Sequence, residues 1–334
     1  MKAIALLSGG LDSTLAARVV MEQGIELEAL NFVTVFCTCT NRGATCLASQ
    51  KAVETLGIPL KVFNVSEEYL SVVKHPKHGY GRNMNPCIDC RIFMLKKAKT
   101  HMAESGASFI VTGEVLGQRP MSQRKEAMRL IEKEAELEGF ILRPLSAKVL
   151  QVTVPEKEGW VDREKLLRIQ GRSRKPQIEL AEQYGVRDYP CPAGGCLLTD
   201  PGFAKRMKDL MVNRPDFSLN DVHLLKMGRH FRFSRDVKLL VGRNEEENQK
   251  IQTFSQEEDI LLKVSNLPGP LSLLRGKPEE RDIERAAAIT AYYSKGKDLR
   301  KVEVTYRRIG NDDYQSLLIP PISRGEAERL MINE

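Results

Sequence analysis

Three stretches of this chain carry residues whose types and spacing can do chemistry. The first is Ser8-Gly9-Gly10-Leu11-Asp12-Ser13-Thr14, which follows the apolar run Ile4 to Leu7. Two adjacent glycines let a backbone turn tightly with no Cβ in the way, so that successive N–H groups and the next helix's first turn can face an anion. Ser8, Ser13 and Thr14 add hydroxyl donors, and Asp12 has the chemistry to hold a Mg2+ ion beside a phosphate. Taken alone, Ser-Gly-Gly is also an ordinary turn before an ordinary helix cap. Its position between a strand pattern and a helix pattern argues for the anion site. The signature GxxxxGK[ST] is absent, which argues against γ-phosphate transfer.

The second stretch is Asn85-Pro86-Cys87-Ile88-Asp89-Cys90 and the third is Cys191-Pro192-Ala193-Gly194-Gly195-Cys196. A Cys-x-x-Cys at a helix start puts two sulfurs on one side, near N–H groups that favour thiolate, and can bind a metal. Cys37, Cys39 and Cys46 form a further cysteine-dense loop, able to supply a zinc or cluster ligand or to relay sulfur. The five histidines form no HxxxH or HExxH pattern, and His75, His78 and His101 are expected on the surface or in loops.

These residues need a scaffold, and the alternation of strand-like and helix-like patterns up to about residue 145 predicts a parallel α/β sheet with crossover helices. Strands are expected over 2–7, 26–32, 60–65, 107–112 and 139–145, with helices over 12–23, 47–56 and 90–103. Two more helices are expected near 161–170 and 176–184. Ligands of such sheets collect at the carboxyl ends of the strands, a rim that holds Ser8, Phe32, Thr112 and Pro144. From about Phe231 short strands at 237–241, 260–264, 301–306 and 314–319 enclose a helix over 278–293, so a smaller α+β domain is expected. The border is set at 1–222 and 223–334.

At 334 residues and 42% hydrophobic content the chain can bury two cores, and its net charge of +7 is compatible with an RNA partner without requiring one. The apolar run after Met1-Lys2 stops at Ser8, and no segment approaches 18 continuous apolar residues, so a cytoplasmic protein with no membrane partner is expected. In that reducing compartment seven cysteines point to metal, redox or sulfur chemistry rather than disulfides.

Ser8 to Ser13 resembles the pyrophosphate loop of the PP-loop ATP-pyrophosphatases, whose fold is the Rossmann-like adenine nucleotide alpha hydrolase type. Thr112-Gly113-Glu114-Val115-Leu116-Gly117-Gln118 and Leu142-Arg143-Pro144-Leu145 are similar to segments of the tRNA 4-thiouridine synthases. Asn85 to Cys90 resembles the N-P-x-x-x-C segment of the tRNA 2-thiouridylases, and Cys196 stands where that family has its catalytic cysteine. The THUMP region of the 4-thiouridine synthases is missing. Residues Phe231-Arg232, Val241-Gly242-Arg243-Asn244, Asp259-Ile260 and Ala291-Tyr292-Tyr293-Ser294-Lys295 resemble the NFACT-R type of RNA-binding domain, although Leu261-Leu262-Lys263-Val264 departs from it.

The resemblance implies an ATP-dependent tRNA sulfurtransferase that adenylates a base carbonyl and exchanges its oxygen for sulfur. It implies a nucleotide site at Ser8, Gly9, Gly10, Asp12, Ser13, Thr14, Phe32, Gly113 and Gln118, and catalysis by Asp12, Cys87, Cys90 and Cys196. Cys87, Cys90 and Cys196 would hold a [4Fe-4S] cluster with one open position, or Cys196 would carry a persulfide with Cys90 as its partner. ATP, Mg2+, tRNA and a sulfur donor are the expected partners, and a homodimer is compatible with the sequence. Arg243, Lys295 and Lys297 are candidate phosphate contacts. The rivals are another adenylating enzyme, a deazaguanine-nitrile synthase or amide ligase with structural zinc, and a non-catalytic RNA-binding adaptor.

Overall fold

The computed structural model describes residues 1–38, 47–187, 189 and 195–332. It divides into two compact units, Met1–Thr199 and Asp200–Glu334. Cys39, Cys46 and Cys191, singled out in the sequence, lie outside the described residues.

In the first unit the elements follow as β1 (Lys2–Leu6), α1 (Leu11–Met21), β2 (Glu26–Val33), α2 (Leu47–Leu56), β3 (Leu60–Asn64), α3 (Ser66–Lys74), α4 (Cys87–Glu104), β4 (Phe109–Thr112), α5 (Lys125–Glu134), β5 (Ile141–Leu142), α6 (Val154–Lys157) and α7 (Lys175–Gln183). The sheet order is β3-β2-β1-β4-β5, and every pairing is parallel. Successive side chains of a strand point to opposite faces, and the sheet uses both. Ala3, Ala5 and Leu7 face the cluster that contains Leu11, Leu15 and Val19 of α1, whereas Ile4 joins Ile92 and Leu95 of α4 and Ile131 of α5 on the other side.

The chain leaves β1 toward β2 on one flank and later returns to β4 on the other, so strand order reverses between β1 and β4. Crevices at such switch points are where open α/β sheets bind ligands. Ser8 follows β1 and Gly113 follows β4, which puts the Ser8–Thr14 and Thr112–Gln118 stretches at the strand ends that flank this switch point.

Two expectations are corrected. Residues 161–170 form no α-helix, only a single turn over Arg163–Lys165. The backbone there bonds sideways instead, Leu167 N to Pro144 O at 2.9 Å and Ile169 N to Leu145 O at 2.8 Å, so its apolar periodicity serves an extended segment packed along 144–145. His101 is not a surface residue: it lies in α4, is 5% exposed and contacts Glu28 at 2.7 Å. The helix aims it at the sheet, where an acid partner offsets its burial.

The second unit contains α8 (Pro201–Asn213), α9 (Leu219–Leu225), β6 (Arg229–Arg232), β7 (Val237–Val241), α10 (Glu245–Phe254), β8 (Ile260–Val264), β9 (Ser272–Gly276), α11 (Glu280–Tyr292), β10 (Val302–Arg308), β11 (Gln315–Ile319) and α12 (Arg324–Leu330). Its sheet runs β11-β10-β8-β9-β7-β6 with antiparallel pairings throughout. Ala286, Ala287, Ile289 and Ala291 of α11 pack on Phe231, Leu239, Leu262 and Leu274, the core of the α+β unit. Residues 200–222 pack with this unit.

Candidate functional site

Gly9 has φ +74°, and a Cβ there would lie 2.2 Å from the carbonyl carbon of Ala48. Both facts demand glycine. Gly10 caps α1 without a side-chain bond to the first-turn N–H groups. Ser13 donates its hydroxyl to Gly10 O at 2.9 Å, and its Oγ lies 3.2 Å from Ser8 Oγ, so the two hydroxyls border one small concavity. Thr14 is buried, and its hydroxyl returns to Gly10 O at 3.1 Å.

Gly113 is packed against this loop: a Cβ on it would come within 2.5 Å of Ser13 N and 2.6 Å of Asp12 C. Gln118 donates to Asp12 Oδ2 at 2.8 Å and accepts from Gln177 Nε2 at 3.3 Å. Arg174, just before α7, stands 3.9 Å from Asp12 Oδ1. Asp12 Oδ1, Arg174 Nε and Gln177 Oε1 are buried and have no hydrogen-bond partner among the described residues. Three unsatisfied polar atoms around one loop are the mark of a place that a polar ligand completes. Arg174 and Gln177 escaped the sequence reading because only the fold brings α7 to α1. Phe32, near the carboxyl end of β2, stacks on Phe63 at 5.8 Å.

The thiols gather where three segments are laced together. Leu197 N donates to Phe36 O at 2.8 Å, Met84 N to Leu198 O at 3.1 Å, and the Asn83 side chain to Thr199 O at 2.7 Å. Cys87 opens α4 and Cys90 sits one turn on, while Cys196 faces Cys37 across an isolated antiparallel bridge. All four are half-buried. Tyr69 of α3, 2% exposed, hydrogen-bonds Cys90 and packs its ring against Phe36 and Phe93.

The helix start was expected to favour thiolates. Burial overrides it: the Cys90 thiol is pushed up to about 11 and that of Cys196 up to about 12, first by desolvation. Cys87 is also raised by burial, with Arg119 and Arg91 pulling the other way. Neutral thiols suit mutual packing rather than ligation, and among the described residues no three His, Cys, Asp or Glu side chains stand in ready metal-binding geometry. The donor set is nonetheless one of soft sulfur atoms, converging from separate elements, with mutual influence among Cys37, Cys87, Cys90 and Cys196. That chemistry fits an iron–sulfur cluster or zinc.

The two regions are physically joined. Arg91, next to Cys90 on α4, reaches Glu114 Oε1 at 3.2 Å, and Arg143 reaches Glu114 Oε2 at 3.0 Å and also pairs with Glu132. Burial alone would raise the Glu114 carboxyl, but Arg91 and Arg143 hold it below its usual range. Glu114 is therefore engaged by arginines rather than free for Mg2+. It directly follows Gly113, whose Cα abuts Ser13.

Residues 1–149 match the family model described as thiamine biosynthesis protein (ThiI), and residues 228–331 match the NFACT protein RNA binding domain. The tRNA-specific 2-thiouridylase MnmA of Pseudomonas fluorescens is 25% identical over 240 residues, 67% of this chain and 59% of that protein. The chain thus spans little more than half the length of that relative. The Rqc2 homolog RqcH of Bacillus subtilis is 38% identical over 73 residues, 21% of this chain and 13% of that protein. The U34-tRNA thiolase NcsA of Methanococcus maripaludis, solved with its [4Fe-4S] cluster, aligns at 17% identity over 67% of this chain and 69% of that one, with a TM-score of only 0.32. The first part of the chain is thus similar to the thiouridine-forming enzymes and the last part to the NFACT RNA-binding domain.

No helix among the described residues is long and apolar enough to cross a membrane.

Proposed function

We propose that this chain spends ATP to adenylate a nucleobase carbonyl of tRNA and replaces that oxygen with sulfur, releasing pyrophosphate and AMP. The single observation that carries the reading is the contact chain from Cys90 and its neighbour Arg91 through Glu114 and Gly113 to Ser13, which ties a thiol cluster to a phosphate-facing loop. The similarity to 2-thiouridylases supports tRNA as the substrate.

The base oxygen attacks the α-phosphorus of ATP. Charge developing on the departing pyrophosphate is met by the free N–H groups of α1 and by the hydroxyls of Ser8 and Ser13. Asp12, oriented by Gln118, would hold Mg2+, which supplies positive charge to the same phosphates. Cys87, Cys90 and Cys196 would hold a [4Fe-4S] cluster, whose chemistry is to present sulfide as a nucleophile. Without a cluster, Cys196 would carry the sulfur as a persulfide from a donor, with Cys90 as its partner. We assign the chemistry to the first unit and RNA holding to the second, with Arg243, Lys295 and Lys297 on phosphates. A reducing cytoplasm would keep the thiols free.

Mass spectrometry of tRNA nucleosides from cells with and without the gene tests this: one thiolated nucleoside should disappear on deletion, and an unchanged nucleoside profile overturns the reading.

One observation favours a second reading. Cys37 opposite Cys196 makes four thiols, the number that closes a structural zinc site, as in a nitrile- or amide-forming relative. Stoichiometric zinc retained under anaerobic purification, with no iron, would select it.

A further inference from the structure

The sheet of the second unit ends differently at its two edges. At β6 the edge is covered: Phe231 bridges Met331, and Ile332 N donates to His230 O at 2.8 Å. At the other end β11 pairs with β10 alone, and among the described residues its outer backbone groups bond no other segment. A bare edge is a template for another strand, and proteins that keep one unpaired blunt it with a charge, a proline or a bulge. Gln315-Ser316-Leu317-Leu318-Ile319 holds no charge and no proline, and its register with β10 is unbroken.

The side chains of this strand are as telling as its backbone. Leu317 and Ile319 pack into the core with α11. Ser316 and Leu318 alternate with them and so share the opposite face, which Tyr314 joins just ahead of the strand. Tyr314 is 61% and Leu318 64% exposed, two large apolar groups held in water two places apart from one serine. Behind them on β10, Glu303 lies beside Leu318 and Thr305 beside Ser316, while the Arg307 guanidinium stands 5.5 Å over the Tyr314 ring.

A strand that pairs antiparallel with its own copy about a twofold axis sets one residue opposite itself, because only then does each face of the sheet continue across the seam. With that residue Ser316, Tyr314 of each copy falls opposite Leu318 of the other. The two exposed apolar groups then cover one another twice, as favourable aromatic–aliphatic cross-strand pairs. Moving the axis to Leu317 would set each Leu318 against a serine instead. The seam carries no charge, and each Tyr314–Leu318 row runs from Arg307 of one copy to Glu303 of the other, so no like charges are brought face to face.

We propose that β11 is a dimerisation edge, through which two copies of this chain join by antiparallel pairing of residues 314–318 into one continuous sheet. A second copy is the occupant because the strand is complementary to itself in that register, in apolar pairing and in charge. The edge stands apart from sulfur transfer and involves none of its residues.

The test is sedimentation velocity of the full, nuclease-treated chain from about 1 to about 300 µM, the range suited to a small interface. The mean mass should rise from one copy to two. Leu318→Lys puts a charge into each apolar pair from an exposed position, so it should weaken association by about tenfold or more while leaving the melting temperature of the dilute monomer intact. Hydrogen exchange locates the contact: amides of 315–319 that point outward should slow as concentration rises in the parent chain and not in Leu318→Lys. A single copy at every concentration, a dimer indifferent to Leu318→Lys, or unslowed β11 amides overturns the proposal. Protection of β11 that arises only with added RNA, on a single copy, gives the face to nucleic acid and overturns it too. Asp12→Ala, which should stop adenylation, should leave the dimer whole, so the two readings fail separately.

Discussion

Gly113 and Ser13 are in backbone contact, with room for a hydrogen but not a methyl group: a Cβ on Gly113 would sit 2.5 Å from Ser13 N. Because the obstacle is main chain at the start of α1, no side-chain adjustment relieves it. Gly113→Ala should cost about 1 to 3 kcal/mol of stability by overpacking. It should also slow ATP-dependent pyrophosphate release by about a hundredfold by displacing the loop. Thermal melts and a pyrophosphate assay check the two effects.

Arg174 reaches toward Asp12 from 3.9 Å with its Nε unsatisfied, an arrangement that costs stability rather than adding it. Its use is expected to come with a phosphate in place. Arg174→Ala should therefore raise the KM for ATP by about tenfold, the worth of one charged hydrogen bond, with little change in melting temperature. Steady-state kinetics over ATP concentration decide it.

Cys37 and Cys196 separate the two sulfur readings. If three thiols hold a cluster with an open position, Cys196→Ser should abolish iron binding and thiolation while Cys37→Ser keeps both. If four thiols close on zinc, either substitution should release the metal. Metal analysis of the two anaerobically purified variants gives the answer.

The raised thiols make a pH prediction for metal-free protein. Cysteine in the unfolded chain ionises near 9, whereas folded Cys90 and Cys196 do so near 11 and 12. The folded state therefore holds more protons between these values, so stability falls as pH rises through that window and is unaffected below it. Denaturant midpoints should decline from about pH 9 upward, and the decline should shrink in Cys90→Ala.

What could be read from sequence was what is local. Gly9 and Gly10 between a strand and a helix announce a tight turn by conformational need alone, and the period of Ala3, Ala5 and Leu7 against Ile4 betrays a sheet buried on both faces. Helix α3 was not expected, and with it went Tyr69, whose contact with Cys90 depends on how two helices pack. The ion pairs of Glu114 with Arg91 and Arg143 were not legible, because its partners come from α4 and the β5 edge. The apolar rhythm at 161–170 suggested a helix because periodicity cannot report the carbonyls of Pro144 and Leu145 that the segment bonds. The expected thiolates failed for a similar reason: helix geometry is sequence-local, and desolvation is not.

The bridge between Cys37 and Cys196 joins an early part of the first unit to its last turn. On a ribosome making the protein from its amino terminus, the sulfur-lined recess has no existence until residue 199 has emerged and the parallel sheet has closed, a slow step for so non-local a topology. If the thiols hold an inorganic group, it would reach a finished domain rather than be captured by the nascent chain.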